Sequence, residues 1–283
     1  MQASIITGHK GFIAGHLYEY LKDKEGPLAC YDIKGDLTQD IRELESLPES
    51  KYVFDLAADT SVPECEACPK HCLDTNVEGT ANVLYQANRA GYESIIFASS
   101  AAVYGDKQGP CDESMDLEPL GVYGVSKMMG ESLVSNFGKA CSLRLFNVYG
   151  PGCKGVIDTY VEAALKGEPL YIEGDGMQVR DFVHVDDVVR AMHLAASKGV
   201  EGEYNIGTGR ECSIGNLARW IIKETKSPSI IKFRDKRKGD IRESLCDYSK
   251  AKRVLNWEPQ IQLEEGVMNY VKWKMSSSSG QGK

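Results

Sequence analysis

Thr7-Gly8-His9-Lys10-Gly11-Phe12-Ile13-Ala14-Gly15 is the most informative stretch of this 283-residue sequence. It lies where an apolar run, residues 2–7, passes into the helical pattern of residues 12–24. Gly8 permits a tight turn, and Gly11 lets the backbone approach a pyrophosphate at the helix N-terminus. Ala14 takes the third position of the pattern and is small enough for helix–strand packing. The stretch predicts a dinucleotide-binding turn, with an ordinary glycine-rich turn as the alternative.

An acidic residue follows the turn at the distance that a dinucleotide site requires. Asp32 closes the second apolar run about twenty residues on, where a carboxylate binds the adenosine ribose hydroxyls and repels a 2′-phosphate. NAD is therefore predicted rather than NADP, although Lys34 lies close enough to keep NADP as an alternative. Asp40 and Ile41 are predicted to flank the adenine, and an exposed loop aspartate is the other interpretation.

Strand-like runs alternate with helical patterns over most of the chain, which predicts a parallel sheet covered on both faces. The predicted fold class is α/β, a doubly wound parallel-sheet Rossmann domain with a smaller, discontinuous α/β substrate-binding region. The predicted strands are 2–7, 28–32, 52–56, 94–99, 142–146, 169–172 and 204–206, and the predicted helices are 12–24, a long one ending near 91, 122–137, 156–166 and 186–197.

The domain boundaries follow from where this alternation loosens. Residues 1–150, rejoined by about 177–207, are predicted to form the nucleotide-binding domain. Residues 151–176 and 208–273 are predicted to form the substrate-binding region. The Ser/Gly-rich end, residues 274–283, is predicted to be a disordered tail.

The bulk composition excludes several classes of protein. The formal net charge of −8 argues against a general nucleic-acid binder. No apolar run is long enough to cross a bilayer and no signal peptide precedes the first strand, so a cytoplasmic protein without membrane contact is expected.

Nine cysteines, an odd number, together with the missing secretory signal predict reduced thiols rather than a disulfide framework. Cys65, Cys68 and Cys72 cluster with His71, but no second ligand pair of matching spacing occurs elsewhere. Free thiols are predicted there and no metal, with a metal site as the alternative.

Tyr123 and Lys127 are spaced i, i+4, so on a helix both side chains leave from one face and can meet the same ligand. Tyrosine is a poor base at neutral pH because its ordinary pKa is about 10. A neighbouring ammonium favours the phenolate and lowers that pKa, which predicts a general base at Tyr123 supported by Lys127.

Several ordered motifs extend this pattern over residues 1 to about 273. They are Thr7-Gly8-x-x-Gly11-Phe12-Ile13, Leu56-Ala57-Ala58, Asn76-Val77-x-Gly79-Thr80, Ala98-Ser99-Ser100-Ala101-Ala102-Val103-Tyr104-Gly105, Tyr123-x-x-x-Lys127, Arg144-x-Phe146-Asn147-Val148-Tyr149-Gly150-Pro151 and Arg180-Asp181-Phe182-Val183-His184-Val185-Asp186-Asp187. With these motifs the chain resembles the extended short-chain dehydrogenase/reductase family, most closely its nucleotide-sugar epimerases of the UDP-glucose 4-epimerase type.

The resemblance implies a role for each matching position. Ser100 would hydrogen-bond the sugar C4 oxygen, Tyr123 would be the general base, and Lys127 would hold the nicotinamide ribose and lower the pKa of the tyrosine. The implied cofactor-binding residues are Gly8, Gly11, Phe12, Ile13, Asp32, Asp40, Ile41, Leu56, Ala57, Ala58, Asn76, Ser99, Tyr123 and Lys127.

For the substrate, the resemblance implies binding by Ser100 and Tyr123 at the sugar and by Asn147, Arg180 and Arg237 at the diphosphate. Arginine suits this task because its fork donates two parallel bonds to phosphate oxygens. Without the resemblance, Arg180 would be a surface ion-pair partner of Asp181. Arg237 shares its stretch with four other basic residues, Arg234, Lys236, Lys238 and Arg242.

The residues that follow Ser100 distinguish among the reactions of the family. Family dehydratases and decarboxylases carry an acid there, whereas this chain has Ala101 and Ala102, which cannot move a proton. A 4-epimerase of UDP-glucose and UDP-galactose is therefore predicted. Ser244 falls at the position that gates the sugar C2 substituent, and its small size predicts that the N-acetyl sugars are accepted too.

Other interpretations stay open at this point. A nucleotide-sugar 4-ketoreductase and a non-catalytic NAD-bound scaffold are the two competing functions. The stretch between Pro151 and Gly174 is short for the family, which leaves both nucleobase and sugar undecided. The family also suggests a homodimer through the helices around 74–90 and 122–137.

Overall fold

The computed structural model describes residues 3–32, 39–236 and 239–279. Its strands are β1 (Ala3–Thr7), β2 (Leu28–Tyr31), β3 (Ser50–Asp55), β4 (Tyr92–Ser100), β5 (Pro110–Cys111), β6 (Ala140–Leu145), β7 (Asn147–Tyr149), β8 (Leu170–Glu173), β9 (Val179–Arg180), β10 (Phe182–His184), β11 (Gly202–Ile206), β12 (Cys212–Ser213), β13 (Ile231–Arg234) and β14 (Glu243–Cys246). Its helices are α1 (Phe12–Leu21), α2 (Val62–Ala67), α3 (Pro69–Leu73), α4 (Thr80–Ala90), α5 (Gly121–Val134), α6 (Val156–Lys166), α7 (Val185–Lys198), α8 (Ile214–Thr225), α9 (Ser249–Leu255) and α10 (Leu263–Ser279).

Six strands form one parallel sheet in the order β11-β6-β4-β3-β1-β2. The chain moves from β1 to β2 on one side and then returns to β3 on the other side of β1. This reversal opens a crevice at the carboxyl ends of β1 and β3, which is where open α/β sheets bind their ligands. β11 contains the predicted strand 204–206 and pairs with β6 at the far edge of this sheet.

Both faces of the sheet are covered, as the near-continuous apolar runs predict. Ile6 and Ile96 are buried with Leu17 of α1 and residues of α7, whereas Ile5 and Ile95 are buried on the other face with residues of α4. Neighbours along one strand therefore pack on opposite layers, which confirms the doubly wound α/β class.

A second apolar cluster lies outside the sheet. It joins α6, α8 and α10 to β8 and β10, and its largest members are Tyr149, Tyr160, Phe182 and Tyr270. Chain segments from either side of residues 177–207 meet in it, so it agrees with a discontinuous substrate-binding region. The boundaries at 151–176 and 208–273 remain a proposal.

The long helix expected to end near residue 91 is broken into pieces. α2 and α3 are separated at Cys68, which precedes Pro69 and has φ −135° and ψ 70°. Proline disfavours the helical conformation of the residue before it and lacks an N–H, so one helix cannot run through. A π-helical turn, Asp74–Gly79, then leads into α4.

The predicted reduced thiols are wrong for two of the nine cysteines. The break at Cys68 brings α2 and α3 together, and Cys65 and Cys72 form a disulfide with their Cα atoms 5.1 Å apart. The other seven cysteines are free, and among them Cys68 is exposed.

The prediction of a disordered tail is wrong for residues 274–279, because α10 continues to Ser279. The helix is fixed against α6, where Tyr270 and Lys274 donate to Asp158 Oδ1 at 2.5 and 2.6 Å. Residues 280–283 lie outside the described residues, as do Gln2, Lys34 and Arg237.

No helix in the described ranges is long and apolar enough to cross a membrane.

Candidate active site

The turn after β1 has the close approach that its glycines predict. Gly8 has φ +67°, and a Cβ atom there would lie 2.8 Å from the Cα of Ala57. Thr7 Oγ1 accepts from the N–H groups of Leu56 and Ala57 at 3.0 Å and donates to Asp55 at 2.7 Å. These bonds hold the ends of β1 and β3 side by side, at the reversal of strand order.

The N-terminus of α1 points into the same crevice. Within the described part of the chain no side chain caps this helix at Gly11, and Phe12 and Ile13 line the cleft in front of it. Uncapped N–H groups at a helix start are the usual partners of a phosphate. Asp32 lies beside them, buried, with its Oδ2 accepting from Lys10 N–H at 2.8 Å. These residues thus fit a dinucleotide.

Asp40 and Ile41 both border the cleft. The Asp40 carboxylate is held by the backbone N–H and the guanidinium of Arg42, which lowers its pKa. Ile41 is buried, and a Cβ on Gly79 would collide with its side chain, so Gly79 is needed for this close packing. Asp40 is half-buried at the cleft, so the alternative that it is an exposed loop aspartate is wrong.

Helix α5 is pressed against β4 and the short 3₁₀ turn after it. A Cβ at Gly124 would lie 2.7 Å from the carbonyl oxygen of Ala102, and one at Gly130 would lie 2.5 Å from the ring of Phe97. Glu66 of α2 caps this helix by accepting from Val122 N–H at 2.6 Å. The two glycines therefore bring the face with Tyr123 and Lys127 up to the end of β4.

Ser100, Tyr123 and Lys127 meet at the end of β4. Ser100 is the last residue of this strand, and its Oγ accepts from Ala102 N–H at 3.1 Å and also hydrogen-bonds Tyr123. Lys127 is 3% exposed, and its Nζ donates to the carbonyl oxygen of Ala98 at 2.8 Å. All three line one cleft.

The pKa of Tyr123 departs from the expectation. Burial raises it and Asp59 raises it further, while the hydrogen bond with Ser100 acts in the opposite direction. Burial also lowers the pKa of Lys127 to about 8, although Asp55 and Glu131 oppose this. The predicted lowering of the tyrosine pKa by Lys127 is therefore not present in the protein alone.

The cleft has a volume of about 1290 Å³ and joins the glycine turn to the Ser100–Tyr123–Lys127 group. Predicted site residues on its wall are Gly8, Gly11, Phe12, Ile13, Asp32, Asp40, Ile41, Leu56, Ala57, Ala58, Ser99, Ser100, Tyr123, Lys127 and Asn147. One continuous space can therefore hold a dinucleotide with a second molecule at its inner end.

Asn76 lies behind this wall rather than on it. It is 1% exposed, accepts from Asp59 N–H at 2.7 Å, and donates to the Asp59 carbonyl at 2.9 Å and to Ser126 Oγ at 3.0 Å. Its amide thus joins the loop after β3 to α5.

Only some of the residues predicted to bind the diphosphate and the sugar lie at the cleft. Asn147 is on the cleft wall, whereas Arg180 is turned to Asp240 at 2.6 Å and Ser244 is buried beside it as its register partner on the neighbouring strand. The alternative pairing of Arg180 with Asp181 is wrong, because Asp181 is fully buried and accepts from Thr208 and Gly209.

Sequence reasoning missed several wall residues. Asp59, Cys68 and His71 reach the cleft from the loop after β3 and from the α2–α3 region, and Cys153 and Lys154 reach it from the segment before α6. Only the Pro151–Gly152 turn signalled the second group. The first group depends on the helix break, which Pro69 signals although the helical pattern continues on both sides of it.

The arrangement supports proton transfer beside a bound dinucleotide. A half-buried tyrosine, a lysine one helical turn on and a serine hydroxyl face one cleft. The other end of this cleft has the helix start at Gly11 and an acid for a ribose. Fold and site together define a Rossmann enzyme of the nicotinamide-dependent type, with a Ser–Tyr–Lys set.

Comparison with known proteins gives the same class of enzyme. The family model described as "NAD dependent epimerase/dehydratase family" matches residues 4–207. The chain is 31% identical to a UDP-glucose 4-epimerase of Mycolicibacterium smegmatis, over 97% of this chain and 99% of that one. The chain therefore belongs to the NAD-dependent epimerase/dehydratase family, and its cofactor is NAD.

Two further relatives differ in their reactions. The crystal structure of a UDP-glucose 4-epimerase from Thermotoga maritima with UDP-glucose superposes with a TM-score of 0.93 at 33% identity, covering 98% of this chain and 99% of that chain. A UDP-N-acetyl-alpha-D-glucosaminuronate decarboxylase of Bacillus cytotoxicus is 31% identical over 95% of this chain and 96% of its own length. Overall similarity therefore identifies the family but does not select the reaction.

Proposed function

We propose that this protein is a UDP-hexose 4-epimerase. The observation that carries the proposal is the group Ser100, Tyr123 and Lys127 at one end of the cleft, followed by Ala101 and Ala102. These alanines stand where the family's eliminating and decarboxylating members are expected to carry an acid. A reversible oxidation at C4 needs a proton acceptor and donor, and Tyr123 with Ser100 supplies both.

Each catalytic residue acts at a stated atom. Ser100 Oγ hydrogen-bonds the C4 oxygen of the sugar, and Tyr123 removes the proton from the C4 hydroxyl and later returns it. Bound NAD supplies the temporary acceptor for the C4 hydride. The cationic nicotinamide ring of NAD would favour the Tyr123 phenolate and so oppose the rise in the Tyr123 pKa that burial causes.

Inversion follows if the 4-keto sugar turns over while its diphosphate stays fixed. Tight binding of the diphosphate and loose contact with the sugar allow this rotation. We propose that Asn147 and Arg180 bind the diphosphate, with Arg237 as a third group whose position lies outside the described residues. Arg180 would have to exchange its bond to Asp240 for a phosphate oxygen.

The sugar pocket is proposed to accept N-acetyl groups. Ser244 is a register partner of Arg180 on the next strand, so the two side chains leave the same face of the sheet. A small side chain next to the diphosphate group leaves room at C2. Ser244→Tyr should lower turnover of UDP-GlcNAc relative to UDP-glucose, and an unchanged ratio would refute this assignment.

The test of the function uses purified protein with UDP-glucose, UDP-galactose and their N-acetyl forms. Interconversion of the C4 epimers without net change in NADH is the expected result. Stoichiometric NADH loss on a 4-keto sugar would instead favour a 4-ketoreductase, and no turnover of any nucleotide sugar would favour a scaffold. Release of CO₂ from a UDP-uronic acid would show a decarboxylase.

We also propose a homodimer that forms through α4 and α5. Tyr85 of α4 and Met129 of α5 are 56% and 42% exposed. Such side chains on neighbouring helices form an apolar face that a second copy would cover.

A further inference from the structure

The Cys65–Cys72 disulfide lies directly behind the cofactor cleft. Both cysteines are 0% exposed, and the disulfide ties α2 to α3 across the break at Cys68. α2 also carries Glu66, the cap of the catalytic helix α5. The disulfide therefore braces the element that holds Tyr123 and Lys127 in position.

A short chain of contacts leads from the disulfide to the reacting groups. Asn76 Nδ2 lies 3.5 Å from Cys72 Sγ and donates to Ser126 Oγ at 3.0 Å. Ser126 in turn donates to the backbone carbonyl of Tyr123 at 2.8 Å. The same asparagine binds both backbone polar groups of Asp59, a residue of the cleft wall. Only Asn76 therefore stands between Cys72 and two parts of the site, the loop at Asp59 and helix α5.

The pocket around the disulfide also suits the reduced pair. Cys65 Sγ lies 3.8 Å from the carbonyl oxygen of Asp59, and Cys72 Sγ lies 3.9 Å from Ser126 Oγ. A disulfide sulfur has no proton to donate, whereas each thiol would find an acceptor there. Reduction therefore adds two donors that compete with Asn76 for the same partners.

Cys68 is the solvent-exposed thiol of this cysteine cluster. It is a free, exposed thiol on the cleft wall, three residues after Cys65 and four before Cys72. Exchange proceeds by attack of a thiolate on a disulfide sulfur, and access limits its rate. Attack by Cys68 would form a disulfide with one of the two buried cysteines and release the other as a thiol, and an external dithiol would then reduce the new disulfide.

We propose that Cys65, Cys68 and Cys72 form a thiol–disulfide exchange site that couples the redox state of the chain to NAD binding. Its reaction partner is a dithiol: the Cys65–Cys72 bond is broken, two protein thiols form, and the dithiol is oxidised to a disulfide with its two protons transferred. The reverse reaction, with a disulfide oxidant, restores the bond. In the oxidised form the disulfide keeps the cleft wall at Asp59 in place, and the protein binds NAD more tightly.

The test measures thiols and cofactor affinity on one preparation. Alkylation after denaturation should count seven thiols in the oxidised protein and nine after treatment with a dithiol, because nine cysteines include one disulfide. Reduction should raise the Kd for NAD about fivefold, the lower range of coupling between sites, and reoxidation should restore it. Identical Kd values in the two states would overturn the proposal.

Variants separate this site from the other thiols. Cys212→Ser removes a half-buried free thiol elsewhere and should leave the redox response intact. Cys68→Ser should slow reduction, whereas the Cys65–Cys72 bond should still be broken by the dithiol and restored by the oxidant. Cys65→Ser with Cys72→Ser should bind NAD like the reduced protein and ignore the dithiol. If the reduced protein instead keeps one equivalent of zinc that protects two thiols from alkylation, the site is a metal site with Asp59 and the exchange proposal fails.

Discussion

Lys127 carries its charge in an unfavourable place. It is almost fully buried, lies 4.9 Å above the ring of Phe97, and donates to the Ala98 carbonyl. Asp55 and Glu131 favour the ammonium, but burial is the largest effect and lowers the Lys127 pKa to about 8. Because its pKa is about 8, Lys127 can change its protonation when a charge is placed next to it. This property suits a residue proposed to contact the nicotinamide ribose.

This lowered pKa predicts a change of stability with pH. Between the folded value of about 8 and the ordinary value of 10.5, the unfolded chain holds more protons at this position than the folded one. The free energy of unfolding of the wild type should therefore rise, relative to that of Lys127→Met, as the pH increases from 8 to 10.5. Urea unfolding of both proteins at several pH values measures this difference. A difference that is flat or falls over that range would contradict the assignment.

Gly8 is required for a second reason besides its φ of +67°, namely its contact with Ala57. Gly8→Ala should lower the free energy of unfolding by about 1–3 kcal/mol and weaken NAD binding. Gly109 is a matched control, because it has φ +78° but no atom of the described residues lies within 4 Å of the place that a Cβ would take. Gly109→Ala should cost only the backbone strain and leave the Kd for NAD unchanged. Equal effects of the two substitutions would show that the contact with Ala57 does not matter.

At the scale of elements, a buried polar network fixes α5 on the sheet. Arg144 of β6 donates to both carboxylate oxygens of Glu131, and Ser99 of β4 donates to the same carboxylate at 2.5 Å. Arg144 and Glu131 are only 4% and 5% exposed. Removing one partner of such a pair leaves the other charge buried without compensation.

Glu131→Gln should therefore lower the free energy of unfolding by about 3 kcal/mol, measured by urea denaturation. The control is Glu258→Gln, which breaks an exposed pair with Lys252 of α9 and should have no measurable effect. If both variants were as stable as the wild type, the network would not be what holds α5 in place.

Local patterns in the sequence predict the elements that they encode, but not those that depend on contacts between distant segments. The helix 156–166 and the strand 204–206 are expected from periodicity and are present as α6 and as part of β11. Pro69 is a visible signal of the helix break, although the helical pattern continues on both sides of it. The part of α10 after residue 273 was not predictable, because it contains poor helix formers. Its contact between Lys274 and Asp158 joins residues that are 116 positions apart in the sequence.

At the scale of the whole molecule, the cleft lies between a sheet core and a separate apolar cluster. The sheet side was predictable because its motifs are short and ordered along the chain. The places of Arg180 and Ser244 were not predictable. Neither residue is on the cleft wall, and both belong to the four-stranded sheet β12-β9-β14-β5, whose strands come from four distant segments. Asp240, the partner of Arg180, is 60 residues away in sequence.

The proposed dimer makes a prediction at this same scale. Tyr85→Asp places a charge on the exposed face of α4 and should convert a dimer into a monomer in analytical ultracentrifugation, because burying an unpaired charge is costly. Tyr171→Asp, also at an exposed tyrosine but on β8, should remain dimeric. A monomeric wild type would contradict the proposal.

The proposed reaction at C4 is tested most directly by the fate of the C4 hydrogen. UDP-glucose with deuterium at C4 is incubated with the enzyme in ordinary water, and the UDP-galactose formed is analysed by NMR. Because the same hydride returns to the opposite face of the sugar, the deuterium should be retained at C4 of the product, and Tyr123→Phe should lower the rate about 10²–10⁴-fold while NAD stays bound. Product that has lost its deuterium to solvent, or full activity of Tyr123→Phe, would contradict a reversible oxidation at C4.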